Sequence, residues 1–205
     1  MGKIGIMGGT FDPIHNGHLM LGRQAYNEYG LDEVWYMPSG HPPHKKNRSV
    51  SKPAMRLEMT RLAVKDHENF FCSDFEVRRN GNTYTAQTLR LLRDSYPRHT
   101  FYFIIGADSL YEIESWYEPD EVMAQAVILT AHREYEEADR TMDCQIAYLS
   151  AKYDADIRIL HCKEMDISSA GLRQMTARGQ SIEAFVPREV MTYISAHSLY
   201  QEAET

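Results

Sequence analysis

The sequence has no CxxC pair and only three cysteines, Cys72, Cys144 and Cys162, which are widely spaced and odd in number. That excludes a disulfide framework and a thiolate zinc site, leaving reduced thiols in a cytosolic protein as the plain reading. No apolar run approaches the roughly 18 residues that a membrane-spanning helix needs. No charged leader with an apolar stretch precedes the first strand-like segment, Lys3–Met7. Positive charge is not in excess: 22 Lys and Arg against 29 Asp and Glu give a formal net charge of −7. Broad nucleic-acid binding and docking on an anionic membrane surface both call for the opposite sign. Internal repeats and low-complexity segments are also absent. These absences predict a cytoplasmic protein that meets small molecules, with room left for a homo-oligomer.

What is present is ordinary globular material, 43% hydrophobic and 25% charged, in a chain of 205 residues that is long enough for a real core. Short apolar runs alternate with helical patterns. Strands are expected at Lys3–Met7, Glu33–Met37, Phe70–Ser73, Thr100–Ile105, Ala126–Thr130 and Ile157–Leu160. Helices are expected at His18–Tyr29, Lys52–Lys65, Thr85–Ser95, Glu118–Ala124 and Ser169–Ala177, with a last one from Pro187 to about Ser195. Strands separated by helices read as βαβ units. The fold class is therefore α/β, a Rossmann-like doubly wound parallel sheet with helices on both faces. One domain is expected over residues 1–205, with a small helical C-terminal portion from about 169. In such a sheet ligands sit beyond the carboxyl ends of the strands.

The first strand runs into Gly8, Gly9 and Thr10, then into His15–Asn16–Gly17–His18. Two glycines allow a tight turn and a close approach to phosphate. The turn is not GxGxxG and lacks the GK[ST] ending of a P-loop. Histidines three apart at a helix start share one helical face, next to free N–H groups and partial positive charge. Such a pair suits an oxyanion whose charge grows during reaction. No third ligand at metal spacing accompanies it.

Together these residues, GGTFDPIHNGH at Gly8–His18, resemble the signature of the T/HxGH nucleotidyltransferase superfamily. Later segments narrow the resemblance to the nicotinate-nucleotide adenylyltransferase family. Pro42–Pro43–His44–Lys45 is similar to that family's PPHK loop, in which Lys45 would reach a phosphate. The segment from Glu76 to Thr85 resembles E-x-x-R-x-G-x-S-Y-T, with Thr83 for the usual serine, and the Thr85 position there contacts the nicotinate carboxylate. Gly106–Ala107–Asp108 after an apolar strand matches a ribose-contacting IIGAD, although Asp108 also reads as a helix cap. Trp116–Tyr117 matches a pair in which the tryptophan stacks on the pyridine and the next backbone unit holds the carboxylate. Ile167–Ser168–Ser169–Ala170–Gly171–Leu172–Arg173 is similar to ISSTxIR, where Ser168 and Arg173 would hold the β- and γ-phosphates. Ala170 loses a hydroxyl there, and Gly171 weakens the helix start.

The resemblance implies an enzyme that joins ATP and nicotinate mononucleotide into deamido-NAD and pyrophosphate, in NAD biosynthesis. Expected catalytic residues are His15, His18, Thr10, Lys45 and Arg173. ATP would contact Gly8, Gly9, Thr10, His15, His18, Gly106, Asp108, Ser168 and Arg173. The nicotinate nucleotide would contact Lys45, Thr85, Trp116 and Tyr117. Mg²⁺ would ride on the phosphates of ATP with few protein ligands. The alternatives are transfer to nicotinamide mononucleotide or phosphopantetheine, cytidylyl transfer, a non-catalytic nucleotide sensor on the same fold, and a histidine-based metalloprotein.

Overall fold

A computed structural model describes residues 1–41, 50–132, 140–162, 165 and 167–201. Six parallel strands form one sheet: β1 (Lys3–Gly9), β2 (Glu33–Pro38), β3 (Phe70–Cys72), β4 (Thr100–Ile105), β5 (Val127–Ala131) and β6 (Ile157–Leu160). Their order is β3-β2-β1-β4-β5-β6, so the chain reverses direction across the sheet between β1 and β4. This is the doubly wound α/β arrangement expected, and its switch point lies at the carboxyl end of β1.

Side chains alternate along β1 because successive strand residues face opposite sides. Ile4 and Ile6 enter one core with α3 (Thr85–Ser95), α4 (Ala107–Glu112), α5 (Pro119–Gln125) and α6 (Met142–Tyr153). Met7 enters the other, built with α1 (Asn16–Tyr29), α2 (Pro53–Val64), α7 (Ser169–Ala177) and α8 (Arg188–Ala196). The C-terminal helices therefore share a core with β1 and α1: Leu172, Ile182, Val190 and Ile194 are all buried in it.

Several details differ from expectation. Strand β1 runs two residues past Met7, so Gly8 and Gly9 are strand and not turn. Helix α1 begins at Asn16, two residues early, with His15 as its extended N-cap. Pro187 is the cap of α8 and not its first residue, since its ψ of 146° keeps it extended. Helices α4 and α6 were not anticipated: α4 is only six residues long, and the buried positions of α6 are Met142, Gln145 and Leu149, a stripe broken by a glutamine. Among the described residues no helix is long and apolar enough to cross a membrane.

Candidate active site

Two cavities open at the carboxyl end of β1, one on each side of it. The first, of about 380 Å³, is lined by Ser39, Glu76, Thr83, Thr85, Trp116 and Tyr117 among others. The second, of about 410 Å³, is lined by His15, His18, Gly106, Asp108, His132 and Ser168 among others. Gly8, Gly9, Phe103, Ser109 and Trp116 border both. Thr10 borders only the first.

The turn after β1 is shaped by its own ring. Phe11 is buried, with a φ of 50°, a backbone region that L-residues enter at a cost of about 1 kcal/mol or more. A Cβ on Gly9 would lie 2.7 Å from the Phe11 ring, so only glycine fits there. The same ring meets the His18 imidazole edge-on, with centroids 4.9 Å apart. Phe11 thus props the histidine at the mouth of the second cavity.

His15 and His18 come together, though not as two helical side chains. His15 stands outside the helix as its cap, and the two rings stack at 3.7 Å. The backbone N–H of His15 donates to Nδ1 of His18 at 3.2 Å. A nitrogen that accepts carries no proton, so the neutral His18 ring bears its hydrogen on Nε2 as a donor. His15 is 5% exposed, and burial lowers its pKa from 6.5 to about 4. Its Nδ1 lacks a well-formed hydrogen bond. A Cβ on Gly17 would sit 3.1 Å from that atom, which accounts for the glycine in the HxGH sequence.

The first cavity is framed by the start of α3. Tyr84 caps this helix in an extended conformation and makes no side-chain hydrogen bond to it. Its first-turn N–H groups are therefore available to an anion. The Tyr84 and Tyr117 rings lie 4.5 Å apart, and Arg90 Nη2 donates to Glu118 at 3.0 Å. These contacts tie the Trp116–Tyr117 segment to α3. Glu76 accepts from Thr88 Oγ1 at 2.7 Å, and burial pushes its carboxyl above the ordinary range.

Of the other expected residues, Gly106, Asp108 and Ser168 line the second cavity, and Arg173 does not. Asp108 lies in the first turn of α4, whose cap is Gly106, because the extended Gly106 delivers the chain into the helix at Ala107. Ser168 caps α7, accepting from the Gly171 N–H at 3.1 Å. Arg173 borders neither cavity: its Nη1 donates to the Asp12 carbonyl at 2.7 Å. Lys45, with the rest of Pro42–Pro43–His44–Lys45, lies outside the described residues.

Arg56 was not anticipated. It is 1% exposed, and its guanidinium donates to three carbonyls: Thr10 at 2.7 Å, Ser51 at 2.9 Å and Gly40 at 3.0 Å. One side chain thus joins the turn after β1, the segment after β2 and the entry to α2. The signal was present in the sequence, since Arg56 shares the face of Met59, Thr60 and Ala63, the buried stripe of α2. Among the described residues no three His, Cys, Asp or Glu side chains are grouped to hold a metal ion.

Comparison with known proteins agrees with this geometry. A family model described as cytidylyltransferase-like matches residues 6–175. A Lachnoclostridium phytofermentans protein named "Probable nicotinate-nucleotide adenylyltransferase" is 44% identical over 200 residues, spanning 98% of this chain and 100% of that one. A Synechococcus protein (strain JA-2-3B'a(2-13)) of the same name is 40% identical over 198 residues, covering 97% and 96%. Among solved structures, Plasmodium falciparum nicotinic acid mononucleotide adenylyltransferase complexed with NaAD has a TM-score of 0.81 at 21% identity, covering 98% of each chain. At that identity the likeness speaks for the fold.

Proposed function

Because this chain belongs to the nicotinate-nucleotide adenylyltransferase family, within the cytidylyltransferase-like nucleotidyltransferases, we propose that it joins ATP and nicotinate mononucleotide. The products are deamido-NAD and pyrophosphate, as a step of NAD biosynthesis. The observation that carries the reading is the pair of cavities meeting along Gly8 and Gly9, with Phe103, Ser109 and Trp116 bordering both. Two substrates bound on either side would bring their phosphates together over the carboxyl end of β1.

The chemistry needs no protein nucleophile. A 5′-phosphate oxygen of the mononucleotide forms a bond to the α-phosphorus of ATP. The bond from that phosphorus to the bridging oxygen of the β-phosphate breaks, and the electron pair leaves with pyrophosphate. Alignment and electrostatics then dominate. His18, offering Nε2–H, would donate to the phosphate oxygens as their charge grows. His15, Thr10 and the Gly8–Gly9 backbone would border the same atoms. Gly106 and Asp108 would meet the ATP ribose. Ser168 would lie toward the triphosphate tail, with Lys45 and Arg173 supplying positive charge. Mg²⁺ enters with ATP as its counter-ion, on phosphate oxygens.

The acceptor follows from the first cavity. Trp116 offers a face for the pyridine ring. The start of α3 at Thr85 and the backbone at Tyr117 present N–H donors, and a carboxylate has acceptors for all of them. An amide would turn its NH₂ donors toward those donors, and the mismatch disfavours nicotinamide mononucleotide. The reading carries with it a single-domain cytoplasmic enzyme that acts on small molecules.

The test is pyrophosphate release from MgATP with nicotinate mononucleotide, nicotinamide mononucleotide and phosphopantetheine in turn. A kcat/KM at least about 100-fold higher for the nicotinate nucleotide supports the reading. Equal rates with the amide would sink the substrate assignment, and no release with any acceptor would sink the reaction.

A further inference from the structure

Asp12 lies in the middle of the turn between Thr10 and His15, and it is 2% exposed. Both carboxylate oxygens are used: Oδ2 accepts from the Ser51 N–H at 3.2 Å, and Oδ1 accepts from the Tyr200 hydroxyl at 2.7 Å. The Tyr200 ring sits under the turn, its oxygen also 3.8 Å from Met59 Sδ. The backbone of Tyr200 is held at a φ of 63°, and Leu199 before it packs on the core shared by β1 and α1. Burial first, then the neighbouring Asp12, push the phenol well above its usual range, so it stays a donor.

We propose that Tyr200 is a positioning residue for adenylyl transfer, acting through Asp12 on the turn that carries Thr10, His15 and His18. The inference rests on reading that turn as the α-phosphate site of ATP. A buried carboxylate oxygen left without its donor is unstable, and rotation of Asp12 about its remaining bond to Ser51 relieves it. Rotation of Asp12 moves its neighbours, because Pro13 and Ile14 alone separate it from His15. Displacing a phosphate donor by a fraction of an ångström lowers the rate of transfer and the grip on the triphosphate. The cavity on the other side of Gly8 and Gly9 meets this turn only at Thr10, whose carbonyl Arg56 holds at 2.7 Å, so it changes least.

The experiment uses the full chain with Tyr200→Phe, which removes one oxygen and keeps the ring. Leu199→Ala serves as the control, loosening the same segment without touching Asp12. Both variants are measured well below their melting temperatures for kcat, for KM toward nicotinate mononucleotide, and for Kd toward a non-hydrolysable ATP analogue by calorimetry. The expected result for Tyr200→Phe is a loss of about tenfold in kcat and a Kd about fivefold higher, with the mononucleotide KM unchanged. Leu199→Ala should lower Tm and leave kcat alone. Wild-type kcat and Kd in Tyr200→Phe, or equal losses in both variants, would overturn the proposal. If the wild-type chain released no pyrophosphate, the functional reading would fail, and the analogue Kd would still decide the role of Tyr200.

Discussion

The backbone N–H of His15 donates to Nδ1 of His18, so the cap of α1 sets the tautomer of the first histidine inside it. One hydrogen bond leaves Nε2–H as the donor of His18. His18→Ala removes a donor aimed at developing charge, and such donors are worth about 10²–10³ in kcat. The expected outcome is a kcat loss of that order, with KM for nicotinate mononucleotide shifted by less than about threefold. Steady-state kinetics at saturating MgATP checks it, and an unchanged kcat would remove His18 from the mechanism.

His15 links folding to pH. Its folded pKa of about 4 lies below the 6.5 of the free side chain, so the folded state binds fewer protons than the unfolded. Its contribution to stability is complete above pH 6.5 and declines as pH falls from there toward 4. At about 1.4 kcal/mol per pH unit the loss reaches up to about 3 kcal/mol. Urea unfolding at pH 7 and pH 4.5 should show a smaller drop for His15→Asn than for the wild type. Parallel pH profiles would argue against a buried neutral imidazole.

Arg56→Lys retains the charge and loses the fork. Lysine can reach one or two of the three carbonyls of Thr10, Ser51 and Gly40, stranding the rest in a buried site. Destabilisation of about 2–4 kcal/mol is expected, read from the urea midpoint at constant m. A variant as stable as the wild type would mean that the three segments hold together without the guanidinium.

Gly22 of α1 lies against the hydroxyl of Tyr36 on β2, where a Cβ has no room. Gly22→Ala should cost about 1–3 kcal/mol by overpacking. Tyr36→Phe removes the obstructing oxygen, whose hydrogen bonds to the His18 and Leu19 carbonyls are long, at 3.5 Å each. Combining the two should recover part of the loss, since the ring Cζ would still lie 2.8 Å from the new Cβ, and a double-mutant cycle measures the coupling. Additive losses would place the strain elsewhere.

How far the sequence speaks depends on how far apart the bonded residues lie. All six strands were legible because each is an apolar run closed by turn residues. The HxGH pair was legible because the contacts that bring its two rings together, from Phe11 to His18, lie within one short segment. Arg56 escaped notice because its acceptors come from positions as distant as Thr10, 46 residues away. The Tyr200–Asp12 bond spans 188 residues and leaves no local trace. Arg173 reads in sequence as a phosphate ligand, and only the fold brings the Asp12 carbonyl to it. Asp12 carries no role legible in the signature, since a lone aspartate before proline reads as turn material.

Besides Arg56 and Ser51, the signature turn is bonded from behind by the end of the chain. Asn16 donates its backbone N–H to the Phe185 carbonyl and its side-chain amide to that of Ala184, and Ser169 donates to the Pro13 carbonyl. On the ribosome the segment with the histidines emerges first and the segments that brace it emerge last. A nascent chain therefore carries its phosphate-binding residues long before it can use them. Premature termination before α7 would yield a product with the complete motif, Arg56 and Ser51 but none of the C-terminal buttresses, so translation must run nearly to Tyr200 before the site can be set.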